Sequence, residues 1–204
     1  MKIAQKYSHL NGEEFLIVHH PELYTEIKEV ISAIDANELK SKISNEKTKK
    51  GDYLFSPRLL NSEFDQFFSA RNWHESRYHY YITLNRELME QSILLPHEDQ
   101  RDFLVRNGEV DPIKSYNQTD FVKDKVAVEV QFGKYSFVAY DLFVKHMLFY
   151  SGGVINLGVE ILPTKKMQSE MSSGIAYFEG EVYKVMRQGR NHPSVPLLIL
   201  GVEP

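Results

Sequence analysis

The strongest constraint on this chain is an alternation. From Lys125 to Phe132 it reads Lys-Val-Ala-Val-Glu-Val-Gln-Phe, with Val126, Val128, Val130 and Phe132 at every second position. A period of two is that of a β-strand with one face against a core. Burying each large apolar side chain contributes roughly 1.5–3 kcal/mol, and a one-residue slip would turn every valine outward, so the register is firmly set. The opposite face then carries Ala127, Glu129 and Gln131, a carboxylate beside an amide. Asp120 lies shortly upstream, after Asn117, Gln118 and Thr119. Two carboxylates held close together repel each other, and a divalent cation removes that repulsion.

The elements around this strand predict an α/β fold. Met1 to Tyr7 and Phe15 to Val18 read as short strands about a turn at Asn11-Gly12. A helix is expected from Pro21 to Ile34, with Leu23, Ile27, Val30, Ile31 and Ile34 in one stripe. Leu59 to Phe68 reads as helix and Arg77 to Leu84 as a tyrosine-rich strand. Asn85 to Gly108 carries fewer large apolar residues, with short helices at Arg86–Ser92 and His97–Asn107 split near Pro96. It reads as a small helical insertion or arm, at about 85–115, within a single domain of 204 residues. Beyond the central strand come a helix from Phe137 to Tyr150, a strand from Val154 to Leu162, a helix from Ile175 to Gln188 and a strand from Pro196 to Val202. In the Phe137–Tyr150 helix, Phe137, Tyr140, Val144, Met147 and Leu148 form one face, and Asp141, Lys145 and His146 sit elsewhere. This order of strands and helices predicts a central mixed sheet covered by helices on both faces.

Composition narrows the function. Hydrophobic residues make up 42% and charged residues 25%, which suits a packed, soluble domain. The absence of cysteine excludes disulfides and thiolate metal sites and suits a reducing cytoplasm. The first residues lack the apolar run of a secretory leader, and no stretch is long and apolar enough to span a bilayer. A net charge of −4 argues against nonspecific coating of nucleic acid but permits a local basic cleft. Lys40, Lys42, Lys47, Lys49 and Lys50 read either as a solvated loop or as an arm contacting phosphates. The eight histidines are scattered, and no glycine-rich phosphate loop is present.

The spacing Asp120-X8-Glu129-X-Gln131 resembles the catalytic signature of the PD-(D/E)XK nucleases, in the variant with Gln at the usual Lys position. That variant belongs to the BglII/BstYI group of type II restriction endonucleases. Longer blocks resemble its BstYI-like members: Tyr7–Gly12, Ser115–Asp124, Glu129–Phe137 and Glu170–Gly174. The resemblance implies a PD-(D/E)XK restriction endonuclease-like fold. It also implies a homodimer that clamps double-stranded DNA, recognises RGATCY and cuts after the purine to leave GATC overhangs. A cognate DNA methyltransferase would protect the host.

The same resemblance assigns roles. Asp120 and Glu129 match the two metal-binding carboxylates, Gln131 the variable third position, and Glu75 an upstream fourth polar residue. Mg²⁺ prefers oxygen ligands and is usually held by one or two carboxylates plus phosphate oxygens. Gln131 does not titrate, so the proton acceptor is left open among water ionised by the cation, a substrate phosphate oxygen and Glu75. Lys134 and Ser136 fall where the family places base contacts, and a Lys can donate to guanine O6 and N7. Ser172 and Ser173 read either as helix caps or as base contacts, with Ser173 and Lys134 facing the outer R:Y pair. Arg187 and Arg190 are candidates for phosphate contacts. The rivals are a repair nuclease of the same fold and a DNA-binding protein without catalysis.

Overall fold

A computed structural model describes residues 1–204. In chain order the elements are β1 (Lys2–His9), α1 (Gly12–His19), α2 (Pro21–Ala33), a 3₁₀ turn (Ala36–Leu39), β2 (Lys42–Ile43), β3 (Tyr53–Leu54), α3 (Pro57–Ser69), β4 (His74–Ile82), α4 (Arg86–Ser92), α5 (His97–Arg106), β5 (Ile113–Lys123), β6 (Val126–Val130), α6 (Tyr135–Tyr140), a π-helical turn (Asp141–Lys145), α7 (His146–Ser151), β7 (Leu157–Pro163), α8 (Lys165–Ser169), α9 (Phe178–Gln188) and β8 (Leu197–Glu203). Six strands form one mixed sheet in the order β1-β8-β7-β6-β5-β4. β6, β7 and β8 run parallel, with β1 antiparallel on β8 and β5 antiparallel on β6.

The alternation in β6 sets the two faces of this sheet. Val126, Val128 and Val130 align with Leu157, Val159 and Ile161 of β7. Together with Phe132, these residues pack against Ile27 and Ile31 of α2 and Leu60, Phe64 and Phe68 of α3. On the other face Val138, Leu142, Val185, Leu197 and Ile199 form a second apolar cluster. That face also carries Ala127 beside Gly158 and Glu129 beside Glu160. β6 is therefore buried on both sides, and Glu129 is 1% exposed rather than displayed on an open face.

The chain divides into two compact units, one of residues 1–76 and 119–204 and the other Arg77–Gln118. The second unit includes residues 85–115. Inside it Gln100 ties the chain together, accepting from Tyr81 N at 2.9 Å and donating to the Leu95 carbonyl at 3.1 Å.

Three local expectations are corrected. Phe15–Val18 lies in α1, not in a strand, despite its β-favouring residues. Asn11 takes the left-handed conformation before the helix, Glu13 and Glu14 suit its positive N-terminal end, and Ser8 accepts from Glu13 N. His19 and His20 accordingly sit at a helix end rather than on a strand. The segment around Asp120 is not a lead-in but the long strand β5, which the polar run Ser115–Asp120 disguised. Finally, the helix expected from Phe137 to Tyr150 is interrupted by the π turn at Asp141–Lys145. Phe137, Tyr140, Val144 and Tyr150 are exposed, while Val138, Asp141, Leu142, His146 and Phe149 point inward. One acid, Asp141, and two bases, Lys145 and His146, thus lie on the inner side of its middle.

Gly12 marks where α1 meets the sheet. A Cβ there would lie 2.2 Å from the Leu197 carbonyl oxygen, which is backbone and has little room to yield. Gly12→Ala should destabilise the protein by about 1–3 kcal/mol through overpacking, measured as a lower urea midpoint with unchanged slope.

Candidate active site

The acidic centre is built by register. β5 pairs with β6 through Phe121↔Val128 and Val122↔Ala127, and continuing by one residue sets Asp120 opposite Glu129. Asp120 Oδ2 accepts from Val130 N at 3.4 Å, and the two carboxyl groups are within hydrogen-bonding reach of each other. On the other side of Glu129, β7 supplies Glu160 as its direct neighbour. The helix above then adds Asp141, Lys145 and His146. The π turn puts Asp141 and Lys145 on one inward face; such turns recur at functional sites. Ala127 and Gly158 make room beneath it, since a Cβ on Gly158 would lie 2.4 Å from His146 Nδ1.

Contacts within the centre are short. Lys145 Nζ lies 2.8 Å from Glu129 Oε1 and 2.8 Å from Asp141 Oδ1. Its approach to Glu129 is a charge contact, because Glu129 Oε1 accepts no aligned hydrogen bond. Gln131 Nε2 donates to Asp141 Oδ2 at 3.1 Å, and Gln131 Oε1 accepts from Gly133 N at 3.1 Å. His146 Nε2 lies 3.4 Å from Glu160 Oε2, while Glu160 Oε1 has no partner.

Burial dominates the electrostatics. It pushes the Glu129 carboxyl well above its usual range, and the charge of Asp120 adds to this. Burial also raises Asp120, with Lys145 opposing the shift. Glu160 is raised well above its usual value by burial and by Asp141 and Glu129. Burial alone would lower Lys145, but Glu129 and Asp141 outweigh it and hold the ammonium charged. His146 is lowered to about 3 by complete burial and stays neutral.

These residues fit a hard divalent cation. The donors are all oxygen, Asp120 and Glu129 are adjacent, Glu129 Oε1 faces only the Lys145 ammonium, and the buried Oε1 of Glu160 has no partner. No cluster of three or more His, Cys, Asp or Glu side chains is arranged as a complete metal cage. Mg²⁺ does not require one, since one or two carboxylates plus phosphate oxygens commonly suffice.

The other expected residues fall into separate groups. Glu75 is exposed at the start of β4, the strand beyond β5. Lys134 is exposed just before α6 and bridges to Ile175, and Tyr135 N donates to the Gly174 carbonyl at 3.0 Å. Lys134 and Ser136 therefore stand beside the loop of Ser172 and Ser173. Neither serine caps a helix. Ser172 Oγ accepts from Lys42 Nζ at 2.6 Å, and Ser173 gives both its N–H and its hydroxyl to Glu46 Oε1, at 2.8 and 3.1 Å. Lys40 pairs with Glu170, and Lys49 donates to the Met171 carbonyl at 2.9 Å. Part of the lysine-rich segment thus braces this loop, a role that charge counting did not foresee. Arg187 and Arg190 are exposed, Arg190 beside a cavity lined by Tyr7, Ser8, His9, Leu10 and Asn11.

The family model for the restriction endonucleases BglII/BglIII matches residues 4–202. The chain belongs to that family. It is a family of restriction endonucleases, which are site-specific deoxyribonucleases. No curated protein sequence matches the chain. Among solved structures it is similar to restriction endonuclease BglII complexed with a DNA 16-mer. The identity is 20% and the TM-score 0.66, covering 98% of this chain and 76% of that one. Free BglII matches at 18% identity and a TM-score of 0.59, covering 100% and 80%. The mixed sheet with flanking helices is the fold of these enzymes. No helix is long and apolar enough to cross a membrane.

The raised Glu129 carboxyl has a consequence for stability. The folded protein keeps a proton there that the unfolded chain loses near pH 4.5. Above that pH the unfolded state binds fewer protons, so this group lowers stability as pH rises toward its folded value. Glu129→Gln removes the contribution. Without metal, its melting temperature relative to the unsubstituted protein should climb between about pH 5 and pH 8. A constant difference across that range would contradict it.

Proposed function

We propose that the chain is a homodimeric type II restriction endonuclease. It would cut double-stranded DNA at RGATCY after the purine, leaving 5′-GATC overhangs, in a Mg²⁺-dependent hydrolysis. The observation that supports this best is the pairing of Asp120 with Glu129 across β5 and β6 in a buried, oxygen-only centre. When bound, the cation supplies a water of lowered pKa and offsets charge building on the phosphate. Asp120 and Glu129 hold it.

The remaining residues orient this centre. Gln131 does not accept a proton. Its amide is held by Gly133 and turned toward Asp141, so it acts by fixing Asp141. Glu75, exposed at the start of β4, is kept as a fourth polar group. Lys134 and Ser136, at the start of α6, and Ser172 and Ser173, in the adjoining loop, are the base-reading set. Ser173 must give up Glu46 to do so. Arg187 and Arg190 are assigned to phosphates, which position the DNA without reading it.

A two-fold dimer suits a palindromic site with one centre per strand. The exposed apolar residues Phe137, Val144 and Tyr150 on the outer side of the α6–α7 helix are the proposed dimer face. Such an enzyme would work in the cytoplasm beside a protecting methyltransferase that does not bind it.

Digestion of plasmid DNA with Mg²⁺, followed by sequencing of the fragment ends, tests the reading. Uniform 5′-GATC ends are expected. Ragged ends would point to repair, and binding without any cleavage to a DNA-binding protein. Glu129→Ala should lower cleavage by more than about a hundredfold while DNA affinity changes little. Cleavage at the unsubstituted rate would refute the site.

A further inference from the structure

Four carboxyl groups meet at the centre: Asp120 from β5, Glu129 from β6, Glu160 from β7 and Asp141 from the π turn. One buried cation faces them. Lys145, its side chain 13% exposed, touches Glu129 and Asp141 at 2.8 Å each. His146, the other basic group there, is neutral and turned to Glu160. Gln131 fixes Asp141 from behind, so contacts run continuously from Gly133 through Gln131, Asp141 and Lys145 to Glu129.

We propose that Lys145 is the resident cation of this centre, a positioning residue that holds Glu129 until a divalent ion displaces it and that competes with that ion. The inference rests on the metal-binding reading given above. Three observations carry it. First, the Lys145 ammonium sits 2.8 Å from Glu129 Oε1, a buried oxygen with no other partner and the one a metal would take. Second, its other anchor is not a proposed ligand. Asp141 is tied to Gln131, so Lys145 can leave Glu129 and remain paired. Third, lysine is a compact charge on a flexible four-carbon stem, which lets the head move while the stem stays packed. A divalent ion on Glu129 and an ammonium 2.8 Å from the same oxygen would repel strongly at that range. Lys145 therefore keeps the empty centre ordered and weakens ion binding until DNA phosphate oxygens complete the ligand set. It also supplies, from a helix, the positive charge that Gln131 does not supply from the strand.

The test is calorimetric titration of the full-length protein with Ca²⁺ alone, comparing the unsubstituted chain, Lys145→Met and Lys145→Arg. A merely structural lysine, once removed, would leave ion affinity unchanged or lower. Competition predicts the opposite: Lys145→Met binds Ca²⁺ about tenfold more tightly, and its melting temperature rises further on adding Ca²⁺. Lys145→Arg, whose planar fork holds two carboxylates more firmly, binds about threefold more weakly. Folding of Lys145→Met only in the presence of Ca²⁺ would support the proposal, because the ion then replaces the ammonium. If that variant does not fold at all, Lys145→Arg decides, and an unchanged affinity overturns the proposal. Equal Ca²⁺ affinities in a protein that still cuts GATC sites would overturn the role of Lys145 alone. Absence of both ion binding and cleavage in the unsubstituted protein would overturn the nuclease reading with it.

Discussion

Burying carboxylates is expensive, and the sheet buries Glu129 and Glu160 side by side on its inner strands. A buried ionised carboxylate without compensation shifts its pKa or finds a partner. Both responses occur here. Glu129 and Glu160 are pushed toward their neutral forms, and Lys145 stays charged between Glu129 and Asp141. Much of the surrounding architecture serves this arrangement. The valines of β6 fix the register that sets Glu129 next to Glu160 and opposite Asp120. Gly158 admits the His146 ring, and Gln131 secures Asp141.

One helical segment carries several parts of the proposed enzyme. Its start carries Lys134 and Ser136, its middle carries Asp141 and Lys145, and its outer side carries Phe137, Val144 and Tyr150. Its inner face mixes Asp141, Lys145 and His146 with Val138, Leu142 and Phe149, and further apolar residues are left to solvent. A hydrophobic stripe on a helix says that it has two faces; it does not say which one is inside.

The sequence alone carried a large part of this. The alternation in β6 set its register, and the apolar stripes of α2 and α3 identified both helices that cover one face of the sheet. The short helices α4 and α5 followed from their polar patterning and Pro96. β5 escaped because its residues are mostly polar, and α1 because Phe15–Val18 favours strand locally while its N-terminal turn favours helix. In the proposed site, Asp120, Glu129 and Gln131 were singled out by their spacing and the resemblance it carries. Asp141, Lys145 and Glu160 were not, because their roles arise from tertiary approach. A signal did exist for the first two: an acid and a base four residues apart in a helix otherwise rich in aromatics. Glu46 left no trace, since nothing in a polar, lysine-rich stretch marks the one acid that reaches a distant serine.

That Glu46 contact shapes what the loop can discriminate. Both hydrogen-bond donors of Ser173 already have a carboxylate to point at. An incoming acceptor exchanges one bond for another and gains little affinity. A group presenting only donors meets a free lone pair of the serine oxygen and adds a bond with Glu46 still in place. With Glu46 in place the hydroxyl is preset to receive a donor, a bias imposed by an acid far away along the chain.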